Sequence, residues 1–320
     1  MKKTLIITNE EDPHVDIVVP LLGTNVFRVN TERILESFRY YANISNHQTS
    51  EVYFENALGE KLFLNQVASI WYRRPEKPII ESSSELDEVR IGESWGGLYH
   101  FLHSMNHVPW MGHPFEDKIN SSRVLQLSTA VNLGFMIPDT IISRDSVKIR
   151  EFLCKHPKIA IKPLHERGKT LDGYWTPYFT EVREAKQLLS LDDKTLSSTY
   201  NYMQEYIEKK REWRITIVGG EIFPCVIESQ NNEKSKLDWR RENIDNLTHY
   251  FEKLPESIDE KIIKYCELLG LNFGAMDLIE TSEGDWCFLE CNPNGQWLWI
   301  EHKTNMKISE AIANWHSMYL

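Results

Sequence analysis

The chain has 320 residues, 41% of them hydrophobic and 26% charged, with a formal net charge of -11 at pH 7. That length supplies two or three domains with a sizeable core. The acidic balance argues against general binding to nucleic acid or to anionic membranes while leaving room for a local basic cleft.

The five cysteines, an odd number with no C-x-x-C spacing, read as reduced thiols and not as a disulfide or zinc framework. Only Leu5–Ile7 follows Met1-Lys-Lys, and no apolar run approaches a membrane span, so a cytoplasmic protein is expected. Thr4–Thr8 reads as a buried strand ended by Asn9–Pro13, and no G-x-G-x-x-G follows it, which removes a dinucleotide fingerprint. A helix over Val15–Leu22 and a strand over Phe27–Asn30 come next. Glu51–Glu55 and Lys61–Leu64 form a hairpin-like pair around Asn56–Gly59. The strand Val67–Tyr72 delivers Arg73 and Arg74 ahead of Pro75. Paired arginines at a strand end suit a carboxylate or a phosphate, and suit surface ion pairing equally well. Ser82–His107 is a mixed helical region whose acidic stretch, Glu81–Glu93, reads as a solvated face. Val108–Met111 closes a first α/β domain near residue 115.

From Glu116 a helix is expected, with Asn120 or Ser121 as N-cap before Val124–Val131 and Gly134 as its stop. A strand over Pro138–Ile142 follows. In Lys158–Pro163, Lys162 ends an apolar strand, where it meets either an anion or solvent. Leu164–Gly173 holds only two glycines, Gly168 and Gly173. The aromatic stretch Gly173–Phe179 is an exposed strand or hairpin able to engage a peptide, or else part of a core. Ser198–Met203 leads into Gln204, Glu205, Tyr206 and Ile207.

Trp213–Val218 and Ile222–Ile227 flank Gly219-Gly220 as a hairpin. Arg214 lies among apolar residues there and requires an anion, for which Glu228 is a structural candidate. Arg240 and Arg241 sit on the loop after this hairpin, where an arginine can hold a carboxylate bidentately or join a surface charge cluster. A helix over Ile258–Leu269 stops at Gly270, and a terminal helix spans Ser309–Tyr319. Between them, Phe273–Glu280 and Trp286–Asn292 flank the turn residues of Ser282–Asp285. With that loop, Thr281 faces Trp286 and Asp277 faces Glu290, while Asn292 shares Glu290's face. Three oxygen donors then converge, as Mg²⁺ requires.

The Asp277 strand followed by Glu290-x-Asn292 resembles the C-terminal metal signature of ATP-grasp ligases. The longer run Leu289–Glu301 resembles one branch of them, the microviridin-type (graspetide) peptide macrocyclases. Trp71–Pro75 and Lys236–Arg241 resemble the same branch, and the helix–Gly134–Pro138 order resembles the start of the ATP-grasp central domain. The resemblance implies a mixed α/β and α+β architecture, an ATP-grasp fold behind an N-terminal pre-ATP-grasp α/β domain. The units would be 1–115, a central 116–203 with the leader-capture region, and a C-terminal 204–320. It implies Mg²⁺ on Asp277, Glu290 and Asn292, and ATP phosphates on Arg123 (with Lys118 nearby), Lys162 and Arg214. Adenine would lie at Gln204, Glu205, Tyr206 and Ile207, with ribose on Glu212 or Glu208. Arg167 or Lys169 would replace the missing glycine-rich phosphate loop. Arg240, with Arg73 and Arg74, would steer a Glu or Asp carboxylate of a precursor peptide, leader plus acidic core, and Arg214 and Arg240 would be catalytic. The implied reaction is ATP-dependent closure of ω-ester or ω-amide rings by a homodimer. The alternatives are a ligase adding amino acids to a peptide end and a nucleotide-binding regulator without turnover.

Overall fold

The structure, a computed structural model, describes residues 1–46, 48–78, 84–164, 168–171 and 174–320. Strands β1 (Lys3–Thr8) and β2 (Val26–Asn30) pair in parallel, joined by the helix Pro13–Leu22. That helix starts two residues before the expected Val15: Asp12 caps it by accepting from the His14 N–H, and Pro13 supplies its first turn. Next come β3 (Phe38–Ser45), β4 (Gln48–Asn56) and β5 (Lys61–Phe63), an antiparallel sheet in the order β3-β4-β5. The two-stranded pair expected over 51–64 therefore gains a third strand. Most of β3 faces solvent, so no apolar alternation marked it, and stacking of Tyr41 on Tyr53 at 5.0 Å helps hold it. β6 (Val67–Tyr72) and β7 (Trp110–Met111) complete the first sheet in the order β2-β1-β6-β7. Leu5, Ile6 and Ile7 are fully buried because helices and neighbouring sheets cover both faces.

The helix expected from Glu116 is two helices. Glu116–Asn120 is a short one, and Ser122, not Asn120 or Ser121, caps Arg123–Asn132 by accepting from the Leu125 N–H. Gly134 ends that helix at φ +77, a left-handed conformation. β8 (Thr140–Ser143), β9 (Lys158–Lys162), β12 (Glu181–Glu184) and β13 (Asn201–Glu205) form an antiparallel sheet ordered β12-β9-β13-β8. β10 (Gly168–Leu171) and β11 (Tyr174–Pro177) pair apart from it as a hairpin. The last sheet contains β14 (Arg211–Val218), β15 (Glu221–Ile227), β16 (His249–Phe251), β17 (Phe273–Glu280) and β18 (Trp286–Asn292), ordered β16-β15-β14-β17-β18. Among the described residues no helix is long and apolar enough to cross a membrane.

The first and last sheets share a core. Ile6, Val15, Val18 and Trp71 pack with Trp297, Ile300, Ile312 and Trp315, so the N-terminal unit is bolted to the loop and helices after β18. One buried polar atom at the edge of the first sheet is not satisfied. Oδ2 of Asp117 has no hydrogen-bond partner, and burial pushes its carboxyl from 3.8 up to about 7. Between those two values the folded chain holds a proton that the unfolded chain has released, so this group costs stability as pH rises. Asp117→Asn is expected to leave stability unchanged at pH 4 and raise it by about 1–3 kcal/mol at pH 8. Urea unfolding at the two pH values checks this; an equal change at both would remove the carboxylate as the cause.

Candidate functional site

The hairpin β17–β18 pairs Glu280 with Trp286, one residue out of the register expected from the loop. A bulge at Leu289 then inserts one residue into β18 and restores the pairing of Asp277 with Glu290 and of Ala275 with Asn292. The expected carboxylate pair thus forms, by a route the loop length did not reveal. Beyond it, Asn292–Gly295 turns sharply. A Cβ on Gly295 would lie 2.3 Å from the Ala275 Cβ and 3.3 Å from Arg214 Nη2, so only glycine lets this loop lie over the sheet. Oδ1 of Asn292 accepts the Asn294 N–H at 3.0 Å within that turn.

Three cations meet this acidic patch. Arg214 on β14 stands opposite Asp277, and its Nη1 donates to both carboxylate oxygens at 2.8 and 2.7 Å. Its protein anion is therefore Asp277; Glu228 instead accepts from the Tyr250 hydroxyl. Arg123, at the start of its helix, reaches Glu290 Oε2 at 2.8 Å. That helix is pinned by Gln126, 1% exposed, whose amide donates to the Cys291 carbonyl at 2.6 Å and accepts the Cys291 N–H at 3.2 Å. Lys162 ends β9 beside Glu290. Among the described residues its ammonium has neither a hydrogen-bond nor an ion-pair partner, and burial lowers its pKa against the pull of Glu290. Burial pushes Asp277 up, to about 6, against Arg214. Burial pushes Glu290 up too, but Arg123, Lys162 and Arg240 outweigh it and hold Glu290 below the usual carboxylate range.

Of these groups Arg123, Lys162, Asp277 and Glu290 line a cleft of about 400 Å³. The stretch expected to hold adenine forms its wall: Gln204, Glu205, Tyr206 and Ile207 all line it, as do Ala160 and Glu212. Gln204 is buried and donates to Thr140 Oγ1 at 2.9 Å, leaving its Oε1 unpartnered. Glu212 pairs with Lys209, a residue sequence reasoning passed over, at 2.7 Å. Lys209 is 4% exposed, so this wall carries a nearly dry ion pair. Glu208 is exposed and faces Lys158. Behind the wall, His156 presents one ring nitrogen to Asp139 and the other to Glu205, each at 3.3 Å.

Arg240 also lines the cleft, with Asp238 holding its guanidinium. Arg74 lines it and donates weakly to the Asn294 carbonyl at 3.4 Å. Arg73 is only 1% exposed. Its Nη1 donates to the Asn294 carbonyl at 2.7 Å, so its guanidinium braces the turn after Asn292. Lys118 and Arg123 line a second cavity of about 830 Å³ that also reaches Glu290 and Asn292. Arg167 lies outside the described residues, as does the side chain of Lys169. The donor set, all oxygen and doubly anionic, fits a hard divalent cation held jointly with phosphates, and the free Lys162 fits one of those phosphates.

Residues 3–118 match the MvdD pre-ATP-grasp domain, and residues 127–282 match the ATP-grasp domain of prokaryotic glutathione synthetase. The structure is similar to a Chryseobacterium gregarium RiPP-associated ATP-grasp ligase in complex with ADP and a leader and core peptide. The TM-score is 0.90 at 27% identity, over 100% of this chain and 98% of that one. It is also similar to the macrocyclase MdnC of Microcystis aeruginosa MRC bound with precursor peptide MdnA (TM-score 0.83, 23% identity, 99% and 100% covered). The macrocyclase MdnB of the same organism follows (0.78, 24%, 99% of each chain). No curated protein sequence matches.

Proposed function

The chain belongs to the ATP-grasp ligases, with an MvdD-type pre-ATP-grasp domain ahead of its ATP-grasp domain, and on that premise we propose that it is an ADP-forming peptide macrocyclase. Its substrate is a ribosomal precursor peptide with a leader and an acidic core. The observation that carries this reading is the end-to-end likeness to a ligase described with ADP, leader and core peptide together. In the proposed reaction a Glu or Asp side-chain carboxylate takes the γ-phosphoryl group of ATP, and ADP leaves. A Thr or Ser hydroxyl, or a Lys amine, then attacks the acyl carbon and phosphate departs. An ω-ester or ω-amide closes, and the peptide loses one water per ring.

Asp277, Glu290 and Asn292 would hold Mg²⁺, which supplies charge neutralisation on phosphoryl oxygens when bound. Lys162, Arg123 and Arg214 would bind phosphates, Gln204–Ile207 adenine, and Glu212 ribose. Arg240, with Arg74 near it, would orient the peptide carboxylate. Phosphoryl transfer needs little beyond such positioning and charge, so no nucleophilic side chain is called for. We place the unit boundaries near residues 115 and 203, and a cytoplasmic homodimer completes the reading.

The test is the intact mass of a precursor peptide incubated with the protein, ATP and Mg²⁺. Loss of one water per ring supports the reading. Gain of amino-acid units would replace it with a terminal ligase, and an unchanged peptide beside bound nucleotide would replace it with a binding protein.

A further inference from the structure

We propose that Asp238 is a positioning residue that couples closure of the nucleotide cleft to the orientation of Arg240. It rests on the reading of Arg240 as the anchor for the peptide carboxylate. The Asp238 side chain is 5% exposed and its carboxylate is fully engaged. Oδ1 accepts from Arg240 Nε at 2.9 Å and from the Arg240 N–H at 3.1 Å. Oδ2 accepts from Arg240 Nη2 at 2.7 Å and from the Thr180 N–H at 3.3 Å. The first three bonds lie within one loop of the C-terminal sheet, but the fourth ties that loop to a separate segment of the cleft lining. Thr180 belongs to the segment between β11 and β12, and it lines the cleft together with Leu237 and Trp239. Its carbonyl is clasped from the same loop, by Arg241 Nη2 at 2.5 Å, and the Arg241 guanidinium lies over the Phe179 ring at 5.7 Å. Both backbone groups of Thr180 are thus spent on the loop that carries Arg240.

The consequence follows from what a buried carboxylate requires. Burial pushes Asp238 up, yet the Arg240 fork outweighs it and keeps the carboxyl ionised, so this buried carboxylate depends on its donors although Arg240 itself is half exposed. If the Thr180 wall swings away, Asp238 loses a donor and gains water, and the fork on Arg240 loosens. With the wall in place, the Nε–Nη2 edge of Arg240 is taken. Only its outer end, Nη1 with the remaining Nη2 hydrogen, is left for a planar carboxylate in a cleft that Asp277 and Glu290 also line. A peptide carboxylate therefore finds an aimed partner only when the cleft is closed over its nucleotide.

The experiment uses the full chain and a precursor peptide. Peptide affinity is measured by calorimetry with and without Mg·ADP, alongside peptide KM, ADP affinity and thermal unfolding. Wild type is expected to bind peptide more tightly with ADP present. Asp238→Asn should raise peptide KM about tenfold or more while shifting ADP affinity by no more than about twofold, and Asp238→Glu should recover part of the loss. Arg241→Ala, which spares the fork and the Asp238–Thr180 bond but cuts the other half of the clasp, should weaken the ADP dependence of peptide binding, and Asp238→Asn should abolish it. In an Arg240→Gln background, Asp238→Asn should add nothing, the mark of two residues acting as one. The proposal is overturned if Arg240→Gln raises peptide KM and Asp238→Asn does not, or if the full ADP dependence survives in Asp238→Asn. If Arg240→Gln itself leaves peptide KM unchanged, the anchor reading fails, which is a different result from failure of the coupling.

Discussion

Glu290→Ala is expected to reduce ring closure by about 10³-fold or more, the size of effect seen when charge at a transferring phosphoryl group is left unbalanced. The carboxylate is the pivot of the site's electrostatics. Arg123 reaches it at 2.8 Å, and the charges of Lys162, Arg240 and Arg214 all fall on it. Without it, the four cations Arg123, Lys162, Arg214 and Arg240 keep Asp277 as the one carboxylate of the metal set, and one oxygen donor of that set is gone. Glu290→Gln separates the two losses, since it keeps an oxygen and removes the charge. A deficit almost as large in Glu290→Gln assigns the effect to charge, and substantial recovery assigns it to ligand geometry. Glu290 lies on the cleft lining with its side chain 29% exposed, outside the apolar core. Both variants should therefore melt within a few degrees of wild type (about 1 kcal/mol at most). Intact-mass analysis of the peptide gives the readout, and full activity in Glu290→Ala would remove the metal assignment.

The parts legible in sequence were those where local chemistry and a short loop decide the outcome. Buried runs such as Leu5–Ile7, the Gly219-Gly220 hairpin and the helix stop at Gly134 fall where their residues direct. The pairing of Asp277 with Glu290 was legible only by coincidence. Counting from the loop is off by one at Glu280–Trp286, and the Leu289 bulge cancels the error. No single-strand pattern announces a bulge, because it depends on the partner strand. β3 was illegible because mostly solvent-facing side chains carry no alternation. The destination of Arg214 was open between Glu228 and a phosphate, since strand order, which sets β17 beside β14, is not written in either strand. Gln126, Lys209 and Asp238 were missed for the same reason. Each matters through a partner that only the fold brings near: Gln126 through Cys291, Lys209 through the Leu237 carbonyl at 3.3 Å, and Asp238 through Thr180.

Arg214→Gln is expected to cut kcat/KM for ring closure by about 10²–10³-fold at pH 7, and the loss should depend on pH in a direction that identifies its cause. Arg214 does two things at once: it stands where a phosphate would be held, and it covers both oxygens of Asp277. Even with that partner in place, burial holds the Asp277 carboxyl up at about 6. Wild-type kcat/KM, which reports ionisations of the free enzyme, should therefore fall as pH drops through about 6. Removing the guanidinium leaves the carboxylate buried and uncompensated, so its pKa rises further and the protonated form persists at neutral pH. A protonated Asp277 is a poor oxygen ligand for a cation. The acidic limb of the variant's profile must then move to higher pH, and part of the lost activity should return as pH is raised above neutrality. A loss of equal size at every pH would mean that Arg214 acts on the phosphates alone and that Asp277 does not need it to stay ionised. Arg214→Lys offers the complementary check. It restores the charge but not the twin contact, so it should return the acidic limb towards the wild-type position while leaving kcat low, because a single ammonium cannot reproduce the planar geometry of a guanidinium.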